Sequence, residues 1–218
     1  DLDKAIELIE NNGEIETLKY QISLCYLNRS TLYLVYEEYD NAIVDIKKSL
    51  EYSKDAEVKI RVNRARALMN YSNIKIKMGE SSESVIDIID EAINIIEEID
   101  RDDSLFDIDV LVKLYNNKAI LLLNDRKHDS YELLSKTIAL CETLRKQNRY
   151  YYEDELIRAY YLRSEIEENQ EKVNKDYKNI IEVFNFNSYT SIQWAFCTLH
   201  NLFNNIEEKD EKNILIDI

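Results

Sequence analysis

Apolar residues in this chain recur at helical spacing almost from end to end. Ala42, Ile46, Ser49 and Leu50 step along the sequence at offsets of four, seven and eight, which a helix gathers on one side and a strand does not. The same face returns as Val85, Ile89, Ala92 and Ile93, then as Ser130, Leu134, Thr137 and Ile138, and more loosely as Val173, Tyr177, Ile180 and Ile181. First-helix positions repeat as well: Asn28, Asn70 and Asn116 fall at one point of their units, and Tyr160 occupies it in the fourth. The period is about 42 to 46 residues, within the range of helical repeats.

This periodicity predicts a leading helix at 1–11, helix pairs at about 15–53, 56–98, 104–147 and 150–186, and a last helix at 188–206, in one domain spanning 1–218. Ser53 or Asp55, Ser81 or Ser82, Ser104 and Ser188 are expected as N-caps, because their oxygens accept hydrogen bonds from unpaired first-turn amides. The chain has no proline and only two glycines, Gly13 and Gly79, whereas sheets and long ordered loops rarely do without both. An all-α fold follows.

The segment NRSTLYLVYEEYDNAIVDIKKSLEY carries a small residue at Ser30, aromatics at Tyr33 and Tyr39, and alanine at Ala42. In these places it resembles the tetratricopeptide repeat. Later units depart from that pattern: Lys118 stands where a small residue is usual, Ser130 replaces the alanine, and the closing proline is absent throughout. The resemblance implies a right-handed superhelical solenoid of stacked antiparallel helix pairs with a concave groove. Armadillo-like and HEAT-like pairs have a similar length and are the structural alternative.

Charge changes the picture at one helix. Between Val58 and Gly79 there are six Lys or Arg and no acid, inside a chain with 43 acidic and 28 basic residues. Lys59, Arg66, Asn70, Asn73 and Lys77 fall on one polar stripe of that helix. The resemblance places Arg66, Asn70, Asn73 and Lys77 in the groove, with Asn28, Asn116 and Tyr160 continuing the line in the other units. Side-chain amides offer a donor and an acceptor to the main chain of an extended peptide, and cations beside them hold a carboxylate or acidic segment. Leu24, Val35, Val112 and Leu123 flank this polar centre. Two structural readings stand beside it: an asparagine bonded to a neighbouring helix, and a basic stripe paired with acids such as Asp87, Asp90 and Glu91.

The expected function is therefore a scaffold that binds a peptide or protein tail. The alternatives are the peptide-sensing part of a bacterial regulator, resembling pheromone receptors, and a structural assembly scaffold. A net charge of −15 repels a phosphate backbone, so nucleic acid is not an expected partner. No run of about 18 apolar residues is available to span a membrane, and the opening DLDKAIELIE has no signal-peptide pattern; a cytoplasmic protein is expected. The chain begins without Met and within a repeat, so a piece of something longer is expected.

Catalysis has little support. His128 and His200 lie in different units, neither at metal-ligand spacing, and no glycine-rich phosphate loop occurs. No enzyme, metal or cofactor is expected. Cys25, Cys141 and Cys197 sit inside apolar helical patterns as reduced core residues. Tyr150, Tyr151, Tyr152, Tyr160 and Tyr161 read as an inter-helix seam. Trp194, Phe196 and Phe203 read as core, or as a surface that a further repeat or a homodimer covers.

Overall fold

The fold is given by a computed structural model, which describes residues 1–11, 15–54, 57–99, 107–146, 152–183, 192–193 and 196–200. Among these residues there are helices and no strand. They run α1 (Leu2–Asn11), α2 (Lys19–Val35), α3 (Tyr39–Tyr52), α4 (Val58–Lys77), α5 (Ser82–Glu97), α6 (Ile108–Leu122), α7 (Lys127–Lys146), α8 (Glu153–Ile166) and α9 (Gln170–Val183), with further helical residues at 192–193 and 196–200. Each expected pair holds two of these helices, and chain neighbours pack together: α2 on α3, α4 on α5, α8 on α9. The chain divides into two compact units, Asp1–Leu114 and Tyr115–Ile218.

In the first unit α2 packs against α1, α3 and α4, and α4 packs against α2, α3 and α5. Leu27, Ala42, Ile46, Ala67 and Ile74 form a core shared by α2, α3 and α4, so the face read from the sequence at Ala42 and Ile46 is buried. Burying each of the leucine and isoleucine side chains contributes about 1.5–3 kcal/mol. Ile6, Ile22 and Tyr26 join α1 to α2 in a second cluster, and Tyr26 stacks on Tyr52 with centroids 6.0 Å apart. Small polar residues allow the helices to approach. The buried Ser49 donates its hydroxyl to the Ser23 carbonyl at 2.9 Å, and the Asn63 amide donates to the Ser23 hydroxyl at 3.2 Å. A larger residue at either serine would push the backbones apart.

Helix ends in this unit follow from local chemistry. α4 stops at Gly79, whose φ of +74° is the left-handed conformation glycine adopts without steric cost. The Gly79 amide bonds to the Ile76 carbonyl and the Glu80 amide to the Lys75 carbonyl, a Schellman end. α2 ends the same way with Glu37 at φ +60° in the glycine position, the Glu38 amide reaching the Tyr33 carbonyl at 2.8 Å. Ser53 does not cap the start of α4; it closes α3, buried, with its hydroxyl on the Leu50 carbonyl. Ser81 precedes α5 but makes no side-chain cap bond; Ser84 instead donates back to its carbonyl.

In the second unit α7 packs on α8 and α8 on α9. Leu134 and Ile138, and Val173, Tyr177 and Ile180, are buried as their repeated spacing suggests, and Leu144, Leu156 and Ile157 are buried with them. Ser130 donates to the Ala119 carbonyl at 2.8 Å, which accounts for serine where the resemblance expects alanine: its hydroxyl is satisfied in a dry contact. Asp55, Ser104, Ser188, Gly13, Tyr150, Tyr151, Trp194 and Phe203 lie outside the described residues.

Candidate functional site

The basic helix α4 is largely neutralised within its own unit. Arg61 pairs with Glu98, Arg64 with Glu91 at 2.6 Å, Arg66 with Asp107 at 2.6 Å, Lys59 with Glu57 at 3.2 Å, and Lys75 with Glu80. Lys77 is exposed and stands over the Tyr39 ring, 5.8 Å from its centroid. Arg64, which lies off the polar stripe, is the residue that reaches Glu91 of α5; of the stripe's own cations, Arg66 pairs with Asp107 and Lys59 with Glu57. Since exposed pairs contribute only about 0–1 kcal/mol each, these contacts matter more for cancelling charge than for stability.

The asparagines divide between surface and interior. Asn28 is exposed on α2. Asn70 is nearly buried and donates to the Thr31 hydroxyl at 3.0 Å, tying α4 to α2; Asn73 is half-buried on the same helix. In the second unit Asn116 is fully buried, its amide donating to both the carbonyl and the carboxylate of Glu155, at 3.1 and 2.7 Å. Its Oδ1 is buried without a hydrogen-bond partner. Tyr160 is also buried, its hydroxyl on Glu142 at 3.2 Å. Asn116 and Tyr160 thus hold helices together inside their unit, where Asn28 faces outward in its own.

The hydrogen bonds equate Tyr160 with Tyr26 rather than with Asn28. The string Tyr-x-x-Arg-Ser occurs at Tyr26–Ser30 and again at Tyr160–Ser164. Each tyrosine hydroxyl donates to a glutamate of the preceding helix, Glu10 at 2.7 Å and Glu142 at 3.2 Å. Each arginine lies over its tyrosine ring, at 5.4 and 5.7 Å, and forks onto an aspartate of the following helix: Arg29 on Asp45 at 2.7 and 2.7 Å, Arg163 on Asp176 at 2.8 and 2.6 Å. Each serine is buried and donates to the carbonyl three residues back. Burial, and then Glu10 or Glu142, pushes both phenols well above their ordinary range. The hydrogen bond to Asp45 raises Arg29 further. Arg163 loses some to burial and gains more from Asp176.

A change in spacing between first and second helix masks this match. Arg29 and Asp45 are sixteen residues apart and Arg163 and Asp176 thirteen, because α8 ends one turn sooner after its arginine than α2 does. The repeated string itself was the available signal.

Against this interior chemistry, large apolar side chains stay exposed in more than one place, Ile192, Phe196 and Leu199 among them, and a further set lies along α2. Although three helices pack on it, α2 leaves Leu32, Val35 and Tyr36 exposed at 50, 70 and 73%. Asn28 precedes them by one and two turns on the same side, and the Thr31–Asn70 bond joins that side to α4. Such a surface presents apolar area with a side-chain amide beside it. Among the described residues there is no group of three or more His, Cys, Asp or Glu placed to hold a metal, and no helix long and apolar enough to cross a membrane.

Comparison with family models, curated proteins and solved structures gives no match.

Proposed function

We propose that the chain is a protein-interaction module, and that the open side of α2 in the first unit docks an extended peptide or protein tail. The observation that carries this reading is the exposure of Leu32, Val35 and Tyr36 on a helix already packed by three others. Contiguous exposed apolar side chains are a cost to a monomer and a source of affinity to a complex. Asn28 adds a donor and an acceptor beside them for a partner's main chain. Asn70 of α4 adjoins α2 through its hydrogen bond to Thr31, and in this reading Asn73 and Lys77 of the same helix extend the contact.

An acidic partner segment gains less than the sequence suggested, since Arg66 already faces Asp107. A carboxylate arriving there has to displace one that is already bound. Asn116 and Tyr160 are buried within the second unit, where they join its helices.

A peptide-display selection on the purified chain tests the reading. Enriched peptides are expected to bind the parent and to lose about tenfold or more in affinity to Leu32→Ser/Val35→Ser, the cost of about 1.4 kcal/mol of lost apolar contact. Peptides that bind the double variant equally well, or a selection that enriches nothing, would remove the basis for this docking face.

A further inference from the structure

Beside the open face of α2 lies a cleft of about 440 Å³, walled by α1, α2 and the turn into α3. Leu32, Tyr33 and Tyr36 form its apolar side, while Asp1, Asp3 and Glu38 line its rim. At its base is Arg29, and that cation is spent. Its Nε and one terminal nitrogen bind Asp45, and its other terminal nitrogen binds Asp3 at 2.6 Å. Two carboxylates, Asp3 and Asp45, hold the guanidinium, Asp1 and Glu38 add two more along the cleft, and the local balance is negative.

Resting on the docking face proposed above, we infer that this cleft accepts a lysine or arginine side chain of the partner, flanked by apolar residues that lie on Leu32 and Val35. Charge complementarity selects this occupant. The cleft and the chain as a whole, at −15, both attract cations. Tyr36, at 73% exposure, offers an aromatic face on which an incoming ammonium or guanidinium can rest. A long basic side chain lays its methylenes on apolar surface and carries its charge to the rim, which matches the order of groups from Leu32 out to Glu38. An acidic side chain meets Asp1, Asp3 and Glu38, and the guanidinium on the cleft wall is already bound by Asp3 and Asp45. The partner's basic group is thus expected to anchor one end of a segment whose remainder runs along α2.

The test uses three fluorescein-labelled peptides of equal length, alternating leucine with lysine, with glutamine or with glutamate. Binding to the full chain is read by anisotropy at low and high salt. The lysine peptide is expected to bind at least tenfold more tightly than the other two and to weaken as salt rises. Asp3→Asn/Glu38→Gln should weaken it about fivefold to tenfold, as two exposed charge contacts are lost. Leu32→Ser/Val35→Ser should weaken all binding, and Glu83→Gln/Asp87→Asn, exposed acids on α5, should change nothing.

If the glutamine peptide binds as well as the lysine peptide, or the Asp3/Glu38 variant binds normally while the Leu32/Val35 variant does not, the cleft inference falls and the docking face stands. If the α5 variant weakens the lysine peptide as much as the cleft variant does, attraction is diffuse and the cleft inference also falls. If no peptide binds, or Leu32→Ser/Val35→Ser leaves binding intact, both fall.

Discussion

Removing Asp176 tests whether the repeated arginine–aspartate fork holds the second unit together. In Asp176→Ala the Arg163 guanidinium loses two charge-assisted hydrogen bonds, of 2.8 and 2.6 Å. It keeps the Ser135 hydroxyl at 3.2 Å and the faces of Tyr131 and Tyr160. The side chains of Arg163 and Asp176 are 18 and 4% exposed, so water reaches the stranded cation only in part. Breaking a buried pair by deleting one member costs about 3–5 kcal/mol, and residual access puts this case near the lower end, about 3 kcal/mol. With a urea dependence of about 1–3 kcal/mol per molar, the unfolding midpoint falls by about 1–3 M.

Circular dichroism in urea reads that shift, and hydrogen exchange on α8 and α9 reads whether the loss is local to the pair. The double variant Arg163→Ala/Asp176→Ala should be less damaged than the sum of the singles, with a coupling of about 1.5 kcal/mol or more. Arg163→Met/Asp176→Leu should come close to the parent, since replacing both charges with well-packed apolar groups is often neutral. The equivalent second-helix positions in the middle pairs are already Ile88 and Leu133. A loss below about 1 kcal/mol in Asp176→Ala, or singles that simply add, would refute the role given to the fork.

Other consequences follow from helix ends and buried acids. Glu37→Gly should stabilise by about 0.5–1 kcal/mol in the same urea assay, because the left-handed conformation at φ +60° strains a residue with a Cβ more than glycine's extra chain entropy costs. Burial, then Glu155 and Glu142, pushes the Cys141 thiol up to about 12; native protein at neutral pH should therefore label with iodoacetamide at Cys141 far more slowly than urea-unfolded protein, read by mass spectrometry. The same shift makes stability pH-dependent: an unfolded thiol ionises near about 8.5, so between there and about 12 the unfolded chain binds fewer protons and stability falls as pH rises. Urea midpoints across that range should decline, and Cys141→Ala should flatten the decline. Glu167 is held below the usual carboxylate range by the Asn169 amide, with Tyr131 and Lys172 also contributing. Its contribution is present above about pH 4.3 and is lost as pH falls through its own lower value, so Glu167→Gln should reduce the acid sensitivity of the α8–α9 turn in hydrogen exchange.

The sequence disclosed the helices because their cores are periodic. Ile46, Ile89, Leu134 and Tyr177 recur at one place in each second helix, and all four are buried. Burial against a neighbour depends on spacing, which a sequence displays. Hydrogen-bond partners depend on which helices lie alongside, and spacing says less about that. Arg66 sits on a polar stripe whether it faces a ligand or Asp107, forty-one residues later. Asn116 occupies the same register as Asn28, yet Glu155 comes from a helix whose placement no local pattern specifies. The open face was partly visible, since Val35 was expected beside the groove, but nothing in the spacing singled out Leu32 and Tyr36, whose 50 and 73% exposure depends on which sides of α2 its neighbours cover.

These particulars bear on how a helical-repeat chain can be read for function. A polar residue at a repeated position has two roles open to it: bonding to the next helix or meeting a partner. The buried polar group costs about 1–3 kcal/mol if left unpaired, so packing recruits most of them. Asn70 with Thr31, Asn63 with Ser23 and Asn116 with Glu155 are recruited in this way. What remains for a partner is marked by the opposite property, apolar side chains that packing left uncovered. On α2 the exposed leucine, valine and tyrosine, rather than the asparagines as a class, therefore locate the surface on which recognition has still to be completed.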